Sequence, residues 1–210
     1  MKQKLNYKFY LLIVFIFILC VRCSTKQEQK NNTLFNLVES EKTNIHFKNT
    51  VKENLYFNFL NYPYIYNGGG VAVGDINNDG LEDVYFTSNQ ESNKLYLNQG
   101  NLEFKDITIK AKVSDEIGWT TGVAIIDINN DGWLDIYVSN TLAGNVFLKN
   151  NGDGTFSNIA ENNGTLFESA AWGAVFLDAE NDADLDLYVS GALDGTTSFL
   201  PSAFYENDGV

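Results

Sequence analysis

Arginine occurs once in the 210 residues, at Arg22, and histidine once, at His46. There are two cysteines, Cys20 and Cys23, two prolines and one methionine. These shortages remove whole classes of function. Fourteen basic residues face 27 acidic ones, a net charge of -13, and an acidic chain with a single arginine lacks the basic footprint that phosphate backbones require, so nucleic acid is not expected as a partner. A single histidine leaves most catalytic triads and imidazole zinc sites without their parts. His46 precedes the repeats described below and reads as a surface or packing residue. Both cysteines sit near the N-terminus, so the remainder of the chain has no thiol pair for a disulfide or a thiolate metal site.

What is present is 44% hydrophobic and 14% aromatic residues, enough for a packed core despite the charge. At the N-terminus, Lys2, Lys4 and Lys8 precede an apolar run from Phe9 to Val21. Thirteen residues are too few for the roughly 20 that span a bilayer, so residues 1–22 read as an export signal. A polar stretch from Ser24 to Asn32 follows Cys23. The arrangement resembles a bacterial lipoprotein signal, which implies lipidation at Cys23, or alternatively at Cys20, with residues 23–33 as a tether. An ordinary cleaved signal peptide is the alternative. The expected location is extracytoplasmic, at the outer membrane or surface of a Gram-negative bacterium, held by a lipid anchor only. Loss of residues 1–22 would leave 10 basic residues against 27 acidic ones.

An internal repeat sets the architecture. The stretch from Gly70 to Phe86 returns at Gly122 to Val138 and again at Gly173 to Val189, with leading aspartates 52 and then 51 residues apart. The segment from Asn93 to Gly100 returns 52 residues later as Asn145 to Gly152. Each unit holds two short apolar or aromatic runs around an acidic loop, then two more around an Asn/Gly turn. Four short strands in about 50 residues is the size of a β-propeller blade. The fold class expected is therefore all-β, a propeller of four-stranded blades with repeats at about 67–118, 119–169 and 170–210. A β-solenoid or a sandwich of hairpins is the alternative. Fewer than three full units fit between Tyr66 and Val210, whereas closed propellers have roughly four to eight blades. The ring is expected to be incomplete and the sequence to be the N-terminal part of a longer protein. Residues 34–66 are candidates for strands that complete a last blade.

The acidic loops read D-x-[ND]-x-D-G-x-x-D. Oxygen-bearing residues at alternate positions of a tight loop suit Ca²⁺, which takes six to eight hard oxygen ligands. The first loop offers Asp75, Asn77, Asp79 and Asp83 with the carbonyl of Leu81. The second offers Asp127, Asn129, Asp131 and Asp135 with the carbonyl of Trp133. The third would use Asp178, Glu180, Asp182 and Asp186, with Asp184 at the seventh position. It departs from the other two, because Glu180 is longer than aspartate and Ala183 replaces the turn glycine, which leaves open whether it holds metal. An EF-hand would need a bidentate Glu at position 12; those positions are Phe86, Val138 and Val189.

These motifs, with the turn from Asn151 to Phe156, resemble FG-GAP/VCBS repeats of the kind found in integrin α-chain propellers and secreted bacterial proteins. The runs from Tyr66 to Gly70 and from Ala171 to Asp178 are similar to bacterial relatives of the cartilage acidic protein family, in which an ASPIC/UnbV domain often follows the propeller. The resemblance implies a calcium-bearing propeller with no established chemistry.

The expected function is a calcium-binding, membrane-anchored platform for a protein or glycan partner, not an enzyme. The competing reading is the propeller part of a secreted polysaccharide-acting enzyme whose catalytic residues lie in the missing C-terminal part, carboxylate pairs here being plentiful enough that residue type alone does not exclude glycoside hydrolysis; a purely structural spacer is a third. Trp119, Trp133 and Trp172 are candidates for sugar stacking or, more simply, for blade packing. The stretch from Gly191 to Ser202, longer than its counterparts, is the expected specificity loop.

Overall fold

The β-branched and aromatic runs flanking each acidic loop pair with one another, because only a tight turn separates them. A computed structural model of the chain describes residues 33–114, 118–191 and 201–209. The export signal, both cysteines and most of the stretch from Gly191 to Ser202 lie outside the described residues. Residues up to Leu37 form a unit separate from Val38–Val210, and in its described part the Thr33 hydroxyl bonds the Asn36 side chain at 2.9 Å.

Within the larger unit each repeat makes one antiparallel sheet. The first contains β1 (Val71–Gly74), β2 (Asp83–Phe86), β3 (Lys94–Asn98) and β4 (Phe104–Asp106), in that spatial order. The second contains β5 (Thr120–Ile126), β6 (Asp135–Asn140), β7 (Val146–Asn150) and β8 (Phe156–Asn158), again in order. The third contains β9 (Ala171–Leu177), β10 (Asp186–Gly191) and β11 (Ala203–Tyr205). These are propeller blades, with three strands described in the last and no closed ring. The described helices are single turns, α1 (Ser40–Thr43) and α2 (Thr108–Ala111).

Register carries the repeat into three dimensions. Val84 pairs with Tyr96, Ile136 with Leu148 and Leu187 with Tyr205, so each second strand meets the next at equivalent positions. Two cores form between the blades. One gathers Ile76, Tyr85, Leu95, Ile107 and Val113 of the first repeat with Ile136, Val138, Leu148 and Phe156 of the second. The other gathers Tyr137, Phe147, Ala160 and Phe167 of the second with Leu187 and Val189 of the third. In the first two blades the recurring tyrosine of the second strand also ties down the chain crossing to the next blade. Tyr85 donates its hydroxyl to the carbonyl of Val113 (2.8 Å) and Tyr137 to that of Thr165 (3.3 Å).

The repeated glycine marks where first strands touch. A Cβ on Gly70 would lie 2.6 Å from the Thr121 carbonyl oxygen, and one on Gly122 would lie 2.8 Å from both the Trp172 carbonyl oxygen and the Gly173 Cα. Those are steric overlaps with backbone, which cannot swing aside as a flexible side chain would. Hydroxyls stitch the same seam: Thr87 donates to the Thr121 carbonyl (2.6 Å) and Thr121 to that of Ala171 (2.9 Å).

Residues 34–66, read above as candidate closing strands, form α1 and irregular turns with no strand. Asparagine side chains take the backbone out of ladder geometry. Asn54 Oδ1 accepts the N–H groups of Tyr56 and Phe57, and Asn58 Oδ1 those of Leu60 and Asn61, the Asx-turn alternative to a strand. The segment lies as a strap instead. Phe47 stacks on Phe86 (4.8 Å), Phe57 and Tyr62 meet Trp119 edge-on (4.9 and 5.6 Å), and Tyr64 meets Trp172 (5.0 Å). Trp119 is fully buried and Trp172 is partly covered, so both serve packing.

Gly122→Ala should cost about 1–3 kcal/mol, the usual range for overpacking a close contact. Gly173→Ala, whose Cβ would meet only the Ser190 hydroxyl at 4.0 Å, should cost much less. Urea unfolding of the two variants side by side checks this, and equal losses would remove the close-approach explanation.

Candidate functional site

Each acidic loop joins the first and second strands of its blade, and its last aspartate is the first residue of the second strand. Asp83, Asp135 and Asp186 are each no more than 1% exposed, and each carboxylate is anchored by backbone. Asp83 accepts the N–H of Ile76 (3.1 Å) and of Asn98 (2.8 Å). Asp135 accepts those of Ile128 (3.4 Å) and Asn150 (2.7 Å), and Asp186 those of Ala179 and Asn207 (both 2.9 Å). One carboxylate thus ties the loop entrance to the second and third strands. Asn98, Asn150 and Asn207 complete the arrangement by donating side-chain N–H to the carbonyls of Glu82, Leu134 and Leu185. Asn150 also reaches the Ile76 carbonyl of the preceding blade at 2.8 Å. The repetition of these asparagines was visible in the sequence, but their role was not.

The leading aspartate folds the loop. Asp75 accepts the N–H groups of Asp79 (3.1 Å) and Gly80 (2.7 Å), and Asp127 those of Asp131 (3.1 Å) and Gly132 (2.9 Å). Asp178 does the same for Asp182 (3.1 Å) and Ala183 (3.2 Å). The third-position amides of Asn77 and Asn129 donate to Asp79 and Asp131, both at 2.9 Å. The fifth-position carboxylates cap the N–H groups of Leu81, Trp133 and Asp184. The fourth residues, Asn78, Asn130 and Asn181, have φ of 58°, 54° and 60°, a left-handed conformation that asparagine tolerates better than most residues. First and second loops are themselves joined, since Asn78 donates to the Gly132 carbonyl at 2.9 Å.

The spacing suggested alternate oxygens converging on one point. In the structure these oxygens are turned onto loop N–H groups, and among the described residues no three acidic side chains are drawn close enough to form a ready-made metal cage. The electrostatics nevertheless favour a cation. Burial pushes the Asp83 carboxyl up to about 6, with Asp79 and Asp75 adding to the rise against the pull of two backbone N–H groups. Burial pushes Asp135 up to about 6 in the same way, with Asp131 and Asp127 adding to it. Among the described residues, Lys149 on Asp131 (3.6 Å) is the only ion pair to a loop carboxylate. The donor set is entirely hard oxygen, which fits Ca²⁺.

The third loop differs as its sequence suggested. Ala183 has φ 77° where Gly80 and Gly132 have 84° and 85°, so it carries backbone strain that glycine avoids. Burial and a hydrogen bond with Asp186 raise the Glu180 carboxyl, while N–H groups of Asn207 and Ala179 hold Asp186 low. Two of the four expected side-chain ligands of this loop are thereby engaged with each other. Trp133 lies against Gly152, where an added Cβ would stand 3.1 Å from the indole.

A chain of like blades, each carrying one acidic loop between its first two strands, defines a propeller-type repeat protein. The sequence profile of the FG-GAP-like repeat matches residues 75–138 and 127–189, more than half of the chain, which therefore belongs to that family. The chain is also similar to cartilage acidic protein 1 of Xenopus tropicalis, 32% identical over 127 residues, covering 59% of this chain and 20% of that protein. It is 38% identical to the Mus musculus protein of that name over 73 residues, covering 35% of this chain and 11% of the relative. With the Homo sapiens protein it shares 37% identity over 76 residues, 36% of this chain and 12% of the relative. The matches span about a fifth or less of the length of these curated relatives.

Ala183→Gly should stabilise the fold by about 1 kcal/mol, since glycine adopts positive φ without a Cβ clash; urea unfolding reads this, and a loss of stability would contradict the strain assignment. In chelator, stability should fall as pH rises from about 4 to about 6. Asp83 and Asp135 hold protons more tightly folded than unfolded, so their contribution is fully present below the unfolded value and is lost as pH rises through the folded one. Denaturant midpoints across that range, flat or rising, would contradict this.

Proposed function

We propose that the chain is a calcium-stabilised, exported repeat module that serves as a rigid binding platform for a protein or glycan partner. The observation that carries the calcium reading is the recurrence, at one place in every blade, of a buried carboxylate among further loop carboxylates, with hard oxygens as the candidate metal donors. Calcium would draw Asp75, Asn77, Asp79 and Asp83 inward in the first loop, and Asp127, Asn129, Asp131 and Asp135 in the second, and would supply the positive charge that the loops lack. Asp178, Glu180, Asp182 and Asp186 would form a weaker third site, because Glu180 and Asp186 must first part. Lipidation at Cys23, or at Cys20, would hold the module at the membrane surface, with no nucleic-acid partner expected from its charge.

A binding role suits these residues better than catalysis. The aspartates that could act as a general acid and base are committed to backbone N–H groups, and His46 is the only histidine. The enzyme reading would gain support from hydrolysis products formed from a polysaccharide by the intact protein.

Extracellular calcium modules bind at roughly 0.1–1 mM, so at about 2 mM calcium a site with Kd near 0.1 mM contributes about 1.8 kcal/mol by linkage. Thermal melting in chelator and in calcium should therefore show a clear rise in Tm. The rise should shrink in Asp75→Ala and Asp127→Ala and less in Asp178→Ala. A folded protein whose melt is indifferent to calcium would overturn the metal assignment.

A further inference from the structure

The first two acidic loops match in their internal contacts, so what separates them lies outside the loops. Asp75 and Asp127 each accept two loop N–H groups, at 3.1 and 2.7 Å in the first and at 3.1 and 2.9 Å in the second. The amides of Asn77 and Asn129 both donate at 2.9 Å, and Asp83 and Asp135 are both buried. The difference comes from the third strand. The residue just before the repeated asparagine, Asn98, Asn150 or Asn207, is Leu97 in the first blade, Lys149 in the second and Glu206 in the third. One position of the repeat thus carries no charge, a positive charge and a negative charge.

In the second and third blades this position acts on the blade's own loop. Lys149 Nζ stands 3.6 Å from Asp131 Oδ2, the fifth-position carboxylate. Glu206 adds to burial and Asp186 in raising the Glu180 carboxyl of the third loop. Leu97 instead packs on the apolar core between the first two blades. Lys105, its partner across the ladder, makes no ion pair among the described residues, and Asp79 has no cation paired with it there.

Lys149 is therefore a cation already resident at its loop. The side chains of Lys149 and Asp131 are 38% and 33% exposed, so water screens the pair and its contribution to folding is small. Its effect on a divalent ion is of another kind. Calcium entering the second loop must share Asp131 with an ammonium or drive it off, and must bring two positive charges up to a third. Given calcium in these loops, the reading proposed above, we infer that Lys149 sets the calcium affinity of the second loop. Its ammonium neutralises Asp131 when calcium is scarce and opposes the ion's entry, so this loop fills at a higher calcium concentration than it would with the leucine of the first blade.

Terbium(III) reads the second loop through Trp133, because the seventh positions of the other two loops are Leu81 and Asp184. Terbium titration of the full chain, excited through the indole and followed by displacement with calcium, gives the calcium Kd of this loop, and Trp133→Phe identifies the share of the emission that belongs to it. Lys149→Leu should lower that Kd by about three- to tenfold, and Lys149→Glu by more. Lys149→Arg, which keeps the charge, should leave it at the wild-type value. The side chain is half-exposed, so all three variants should keep the wild-type circular dichroism spectrum. An unchanged Kd in Lys149→Leu would overturn the inference, as would an equal shift in Lys149→Arg, which would make the cause shape rather than charge. A folded wild type without Trp133-dependent emission, or with emission that calcium does not displace, would remove the calcium reading itself and the role of Lys149 with it.

Discussion

Everything in each blade hangs on one buried carboxylate. Asp83, Asp135 and Asp186 each accept one N–H from the start of the acidic loop and one from the asparagine that ends or follows the third strand. A buried anion held by two backbone donors is costly to disturb, because removing either side leaves a polar group without water or partner. The loop, the first hairpin and the second hairpin are fixed to one another through it. Its burial also places negative charge where solvent cannot disperse it, among further carboxylates of the same loop. The residue that organises the blade therefore also concentrates the negative charge of its loop.

Blades so built still have to meet, and they do so through shape. Gly70 and Gly122 let neighbouring backbones come within a distance that a methyl group would forbid, while hydroxyls of Thr87 and Thr121 take up the carbonyls exposed there. Farther out the contact is apolar, with rings of one blade on those of the next. This division suits stacked repeats, in which each unit buries its faces only against its neighbours.

The repeat, the all-β class and the position of the acidic loops were legible because they depend on local spacing: a 52-residue period, hydrophobic runs of strand length, and turn residues between them. The third loop's departures were legible for the same reason, since Ala183 must adopt the φ that glycine takes in its counterparts. What spacing could not show was where lone pairs go. Alternating oxygens around a loop can converge on an ion or cap the loop's own N–H groups, and the pattern is the same in either case. Nor could it show the course of residues 34–66. Their aromatics suggested strands, but Asn54 and Asn58 bend the backbone back on itself, and Phe57, Tyr62 and Tyr64 find their partners in tryptophans 50 or more residues away, beyond any periodicity.

That N-terminal strap has a mechanical consequence. Its rings touch the first blade at Phe86, the entrance to the second at Trp119 and the entrance to the third at Trp172. Tension applied at the N-terminal end would reach Phe47 before Phe57 and Tyr62, and those before Tyr64. The contacts would yield one after another, each dissipating work before the next is loaded, so that the strands behind them stay paired until the last ring has peeled away.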